Sequence, residues 1–200
     1  MHPDFVLRRL SLAFDFTARA SLQAALGALG ASVDLGSGEG RRAALGSALA
    51  LASRAVSGLV GAAASSEWLT AAEAPQRFEA LATSLRGRYV VETARNGVET
   101  PVSLAPPRAD EGDGYLVVTL LVALDAPFAE GEFALTSRAA APDLMRVLAV
   151  DGGEVVALEV IWSPTKEADR MSPDELRTHY PEVLRLDDVA AWPLCAEARA

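Results

Sequence analysis

Cysteine, histidine and basic residues are scarce in this chain, and each shortage removes a class of chemistry. Cys195 is the only cysteine among 200 residues, which excludes an intrachain disulfide and any CxxC metal or redox motif. A lone thiol fits a reducing compartment, so a cytoplasmic location is expected. His2 and His179 are the only histidines, so neither a His-rich zinc site nor an HExxH helix can be built. Lysine and arginine number 18 against 27 acidic residues, giving a net charge of −9. That field opposes phosphate backbones and anionic membrane surfaces, and nucleic acid is not an expected partner.

Long uninterrupted apolar runs are also missing. Arg8-Arg9 followed by Leu10-Ser11-Leu12-Ala13-Phe14 begins like a signal peptide, but Asp15 and Arg19 fall where its apolar centre belongs. Residues 43–64 carry Arg54 near their middle, among alanines, serines and glycines. A central arginine costs roughly 2.5–3.5 kcal/mol on insertion scales, so no integral membrane span is expected. Gly36-Ser37-Gly38-Glu39-Gly40 lacks both the preceding strand and the spacing of a phosphate-binding loop, and reads as a helix-helix turn. No serine occupies a GxSxG elbow. No cofactor is expected.

Half the residues are hydrophobic, with alanine concentrated before residue 90 and valine and leucine after it. The expected fold is therefore α+β: an N-terminal helical hairpin or bundle in residues 1–97, then a small α/β region in 98–200 packed with it. Large apolar residues at Phe5, Leu12, Phe16, Leu22, Leu26 and Leu29 trace one helical face and predict a first helix. Leu45, Leu49, Val56, Leu59 and Val60 predict a second over about 41–64, antiparallel to the first. Pro75 at the start of Phe78, Leu81 and Leu85 predicts a third, closed by Asn96-Gly97. Tyr89-Val90-Val91 and Thr93 are strand formers inside that third segment, where the three-to-four spacing favours helix. Residues 98–104 suit a short edge strand. The acidic loop 105–114 misses the order of EF-hand ligands.

Two runs form the predicted core, one over residues 115–124 and one over 155–162, both β-branched and apolar at nearly every position. Leu144, Val147 and Leu148 after Pro142 predict a helix between them. Strand, helix and strand in that order predict a right-handed parallel βαβ unit. Ser163-Pro164 ends the second strand. Ser172-Pro173-Asp174-Glu175 then supplies a capping box for a C-terminal helix that stops at Tyr180-Pro181.

Three blocks in order carry a family resemblance. Tyr115 with Val117-Val118-Thr119-Leu120-Leu121-Val122-Ala123 is followed by Ala157-Leu158-Glu159-Val160-Ile161-Trp162-Ser163-Pro164. Asp169, Met171-Ser172, Asp174-Glu175-Leu176, Tyr180-Pro181 and Leu184 form the third. Together they resemble the domain-of-unknown-function family numbered 1517, with residues 10–96 compatible with its N-terminal helices. The resemblance implies a domain known from photosynthetic lineages, often preceded by a glycine-rich or hydrophobic segment in membrane-anchored or organelle-targeted members. That segment is expected to be absent here. The family has no established activity, so no functional residue is carried over.

Glu159 stands out as a carboxylate in the most apolar strand, on the face that alternation assigns to Val155, Ala157 and Ile161. A lone buried carboxylate is costly unless paired or protonated, and an edge position or a structural partner among the arginines is the preferred reading. Parallel core strands would also bring two loops together at their carboxyl ends. Asp125, Glu130 and Glu132 would lie on one, Glu167 and Asp169 on the other. Such a rim could meet a basic partner surface or a divalent cation, although solubilising loop charges are the simpler explanation. The expected function is a non-enzymatic protein-interaction or scaffold module with an unidentified protein partner. The alternative is a small-molecule-binding or carboxylate/metal-assisted enzyme with its site at that rim. The sequence assigns no oligomeric state.

Overall fold

Ten residues that carry apolar side chains on both faces, Phe5–Phe14, form the central strand β1, and the sheet is assembled around it. The computed structural model describes residues 4–95, 114–125, 134–150, 153–165 and 169–187. In chain order β1 is followed by α1 (Phe16–Ser32), α2 (Gly38–Arg54), a helical turn at Val56–Gly58 and β2 (Leu59–Leu69). Then come α3 (Ala74–Arg95), β3 (Leu116–Asp125), α4 (Ala141–Val150), β4 (Glu154–Ser163), α5 (Pro173–His179) and the two-residue β5 (Leu184–Arg185). The sheet order is β4-β3-β1-β2-β5, and every pairing is antiparallel.

Helices cover both faces of the sheet. Val6, Leu10, Leu12 and Phe14 pack with Leu22 and Leu26 of α1, Leu45 and Leu49 of α2, and Leu144 and Leu148 of α4. On the other face Leu7, Leu121 and Ala123 meet Ala82 and Leu85 of α3. Central strands buried on both sides read as continuous apolar runs. Polar residues interrupt them at Arg8 and Arg9 and at one facing pair, Ser11 Oγ and Thr119 Oγ1, which lie 3.0 Å apart across β1 and β3.

The expected first helix is half strand. The helical spacing from Phe5 to Phe16 was coincidental, because a strand buried on both faces shows no alternation to oppose it. The signal for the true helix start is Asp15, whose side chain accepts from the Thr17 N–H at 2.9 Å as an N-cap. The second helix likewise ends at Arg54, and Leu59 and Val60 open β2. Alanine and serine in β2 are poor strand formers, yet ten residues of pairing with β1 override them. The third helix holds, and Tyr89 to Thr93 lie within it. Residues 98–104 and most of the acidic loop lie outside the described residues.

The parallel βαβ unit is not formed. Val117 pairs with Ser163 and Asp125 with Glu154, so β3 and β4 run antiparallel. A parallel pair requires a long crossover, but a long connection does not require a parallel pair. The chain leaves β3 at Asp125 and re-enters β4 at the same end, although α4 forms in between as expected. The fold is α+β with an antiparallel sheet, and strands from both halves of the chain share it.

Two local predictions come from sites where the backbone is closely specified. Ser172 Oγ accepts from the Glu175 N–H and Glu175 Oε2 accepts from the Ser172 N–H, so the capping box is present on both sides. Ser172→Ala is expected to cost about 1 kcal/mol, read as a lower urea midpoint at unchanged slope. The glycines between α1 and α2 offer a sharper contrast. Ser37 Oγ caps α2 through the Gly40 N–H at 3.0 Å, and any Cβ on Gly40 would collide with the Asp34 carbonyl oxygen. Gly46, inside α2, has open space around its missing side chain. Gly40→Ala is expected to destabilise by about 1–3 kcal/mol. Gly46→Ala is expected to stabilise by about 0.4–1 kcal/mol through the unfolded chain. Equal thermal shifts for the two variants would contradict this assignment.

Candidate functional site

The acidic rim is taken apart by the antiparallel pairing. Asp125 ends β3 opposite Glu154, whereas Asp169 follows the other end of β4. The ten residues of β4 span about 30 Å at the usual strand rise, so these two acids cannot share a pocket. Glu130, Glu132 and Glu167 lie outside the described residues. Among the described residues no three histidines, cysteines or acids are grouped to hold a metal ion. An enzyme site at the carboxyl ends of two parallel strands therefore loses its geometric basis.

Glu159 has a partner. Its Oε1 accepts from Arg86 Nη1 at 3.1 Å, and Arg86 Nη2 also donates to Glu79 at 2.9 Å. Glu159 shares its face with Ala157 and Ile161 beside α3, but Val155 packs on the opposite face. The cause is a bulge: Leu124 pairs with Val155 and Ala123 with Ala157, leaving Val156 extra and reversing the alternation. A second ion cluster lies near α5, where Arg9 and Arg88 converge on Glu182 and the Arg88 guanidinium sits 5.3 Å from the Tyr180 ring centre. Shared, partly exposed pairs of this kind tie elements together.

At the Phe14 end of the sheet, α1 grips the chain that leaves β4. Gln23 Nε2 donates to the Pro164 carbonyl at 2.7 Å, and Arg19 Nη1 donates to Gln23 Oε1 and to the Asp169 carbonyl, each at 3.2 Å. Arg19 and Gln23 are both buried. Tyr115 bridges to Met171 beside them. Its phenol is pushed above the ordinary tyrosine range, first by burial and then by the negative charge of Asp15.

This grip sets one wall of a groove. Leu26, Leu29, Gly30 and Val33 from the end of α1, with Leu35 and Ala44, face Leu158, Val160 and Trp162 of β4 across a cleft of about 160 Å³. Gly30 matters to its shape, because a Cβ there would stand 3.5 Å from the Trp162 Cη2. Leu35, in the lining of the cleft, is 44% exposed, and Val156, at the bulge of β4, is 41% exposed. Trp162 Nε1–H is screened from solvent and has no acceptor among the described residues. At the start of the strand Arg41 Nε donates to the Val155 carbonyl at 2.8 Å, securing α2 against β4.

Sequence reasoning missed this groove. Leu26 and Leu29 were readable as a helix face, but their role depends on β4 being an edge strand, which the parallel topology concealed. The available signal was Val33 and Leu35, apolar positions that continue past the end of α1.

No helix among the described residues is long and apolar enough to cross a membrane. No solved structure matches the chain. A curated relative is the chloroplastic FLUCTUATING-LIGHT-ACCLIMATION protein 1 of Arabidopsis thaliana, 31% identical over 112 residues. That alignment covers 53% of this chain and 27% of the relative, so about half of this chain aligns with about a quarter of the plant protein. A family model described as "Protein of unknown function (DUF1517)" matches residues 5–186, from the first residue of β1 to just past β5. With nearly the whole fold inside that match, the chain belongs to the DUF1517 family.

Proposed function

We propose that the chain is a non-enzymatic protein-interaction module whose contact surface is the groove between the α1/α2 hairpin and β4. The observation that carries this reading is an apolar cleft with exposed Leu35 in its lining, set against the outermost strand of the sheet, on which Val156 is also exposed. Apolar patches at such positions mark interaction surfaces. A metabolite or cofactor site fits less well, since the cleft measures about 160 Å³ and pockets for such ligands run to about 300–1,000 Å³. The plant relative's name describes acclimation, a response rather than a reaction, and is compatible with a binding role.

Photo-crosslinking tests the reading. A photoreactive residue placed at Leu35 or Val156 is expected to capture a discrete protein in native lysate. The same residue at Leu184, exposed near the opposite edge of the sheet, serves as the control. Adducts of equal yield at all three positions, or none at any, would remove the groove as a contact surface.

A further inference from the structure

The groove and the strand beside it define the form of the partner, an inference that rests on the interaction-module reading above. The cleft holds about 160 Å³, close to the cavity of about 150 Å³ that accepts a benzene molecule in an engineered apolar core. It therefore matches one aromatic ring. β4 ends the sheet on that side, and among the described residues no strand pairs with its outer edge. Long edge strands are usually blunted by lysine, proline or shortness. The first part of β4 is protected by the bulge at Val156 and by Arg41 and Arg42 on the Val155 and Gly153 carbonyls, but residues 157–163 continue past it without lysine or proline. Such an edge is a template for an added strand, with backbone hydrogen bonds giving affinity and a side-chain pocket giving selectivity.

Charge identifies the occupant. Asp34, Glu39 and Glu154 are exposed around the entry to the strand, while Arg41 and Arg42 donate to the carbonyls of Val155, Leu35 and Gly153. The whole chain carries −9. A symmetric pairing of two copies would place the same carboxylates on both sides of one interface, between chains that repel each other. A basic segment meets no such opposition.

We infer that β4 accepts an extended segment of another protein as an added antiparallel strand. One aromatic side chain of that segment fills the groove, and lysine or arginine lies beside it at the end that meets Asp34, Glu39 and Glu154.

The test uses a phage-displayed library of random linear peptides, selected on the purified full chain and counter-selected on the Leu35→Asp variant. Leu35 is exposed, and circular dichroism confirms that the variant is folded. Enriched peptides are expected to share one aromatic residue with lysine or arginine to one side of it, and no proline near it. A synthetic copy should slow hydrogen exchange along β4, lose about tenfold in affinity on Leu35→Asp as an anchoring contact does, and weaken with added salt.

Proline-rich or helical winners, winners that bind Leu35→Asp equally well, or unchanged exchange in β4 would overturn the inference. So would concentration-dependent dimerisation abolished by Leu35→Asp, which would make a second copy the occupant. A protein captured from Leu35 with no peptide enriched leaves the interaction module standing and removes the strand-addition mode. Failure of both experiments removes both.

Discussion

Phe14→Ala is expected to lower the unfolding free energy by about 3–5 kcal/mol, the range for emptying a large aromatic site in a core. Phe14 has no exposed surface, pairs with Leu59 on one side and Leu116 on the other, and is the last residue of the central strand. Asp15, the cap of α1, follows it directly. The ring therefore packs where β1, β2, β3 and the start of α1 converge, so little can collapse into the space it would leave. Loss of ring contacts and residual cavity act in the same direction. Urea unfolding followed by far-UV circular dichroism gives the number, provided the slope is unchanged. A loss below about 1 kcal/mol, the ordinary effect of a mutation, would place Phe14 outside the core. Phe16, only two residues later but 55% exposed, is the matched control and should tolerate alanine.

The contrast between these phenylalanines also shows what could be read from residue order. Leu120, Leu121 and Val122 announced a doubly covered strand, and Pro142 and Ser172 announced the starts of α4 and α5, because those signals are local. Ser172 in particular encodes both halves of its capping box within four residues. Pairing direction is not local. The link between β3 and β4 is compatible with either sense, and β1 lies between β3 and β2 only because distant residues pair there. The expected rim rested on that direction: with β3 and β4 antiparallel, Asp125 and Asp169 lie at opposite ends of β4. Glu159 is half-buried and paired with Arg86 on an edge strand, whereas the bulge at Val156 that turns Val155 to the other face had no signature in the apolar run.

Gln23→Leu is expected to be the costliest polar substitution near the groove, because it removes two buried hydrogen bonds without changing side-chain size much. Gln23 is 3% exposed and links Arg19 Nη1 to the Pro164 carbonyl. Leucine can neither accept from the arginine nor donate to the carbonyl. An unsatisfied buried group costs about 1–3 kcal/mol, so a total loss of about 2–4 kcal/mol is expected from the same principle. The position of the loss distinguishes this prediction from general destabilisation. Pro164 follows the β4 residues that include Trp162, and the segment continues to Asp169 and the Tyr115–Met171 bridge. Faster amide exchange should therefore appear first around residues 162–165 and 169–171, with the pairing of β1 and β2 unaffected under native conditions. Peptide binding at the groove should fall with it, since Trp162 would no longer be held against Gly30. Uniformly faster exchange across the whole sheet would instead show that Gln23 stabilises the fold without specifically setting the groove wall.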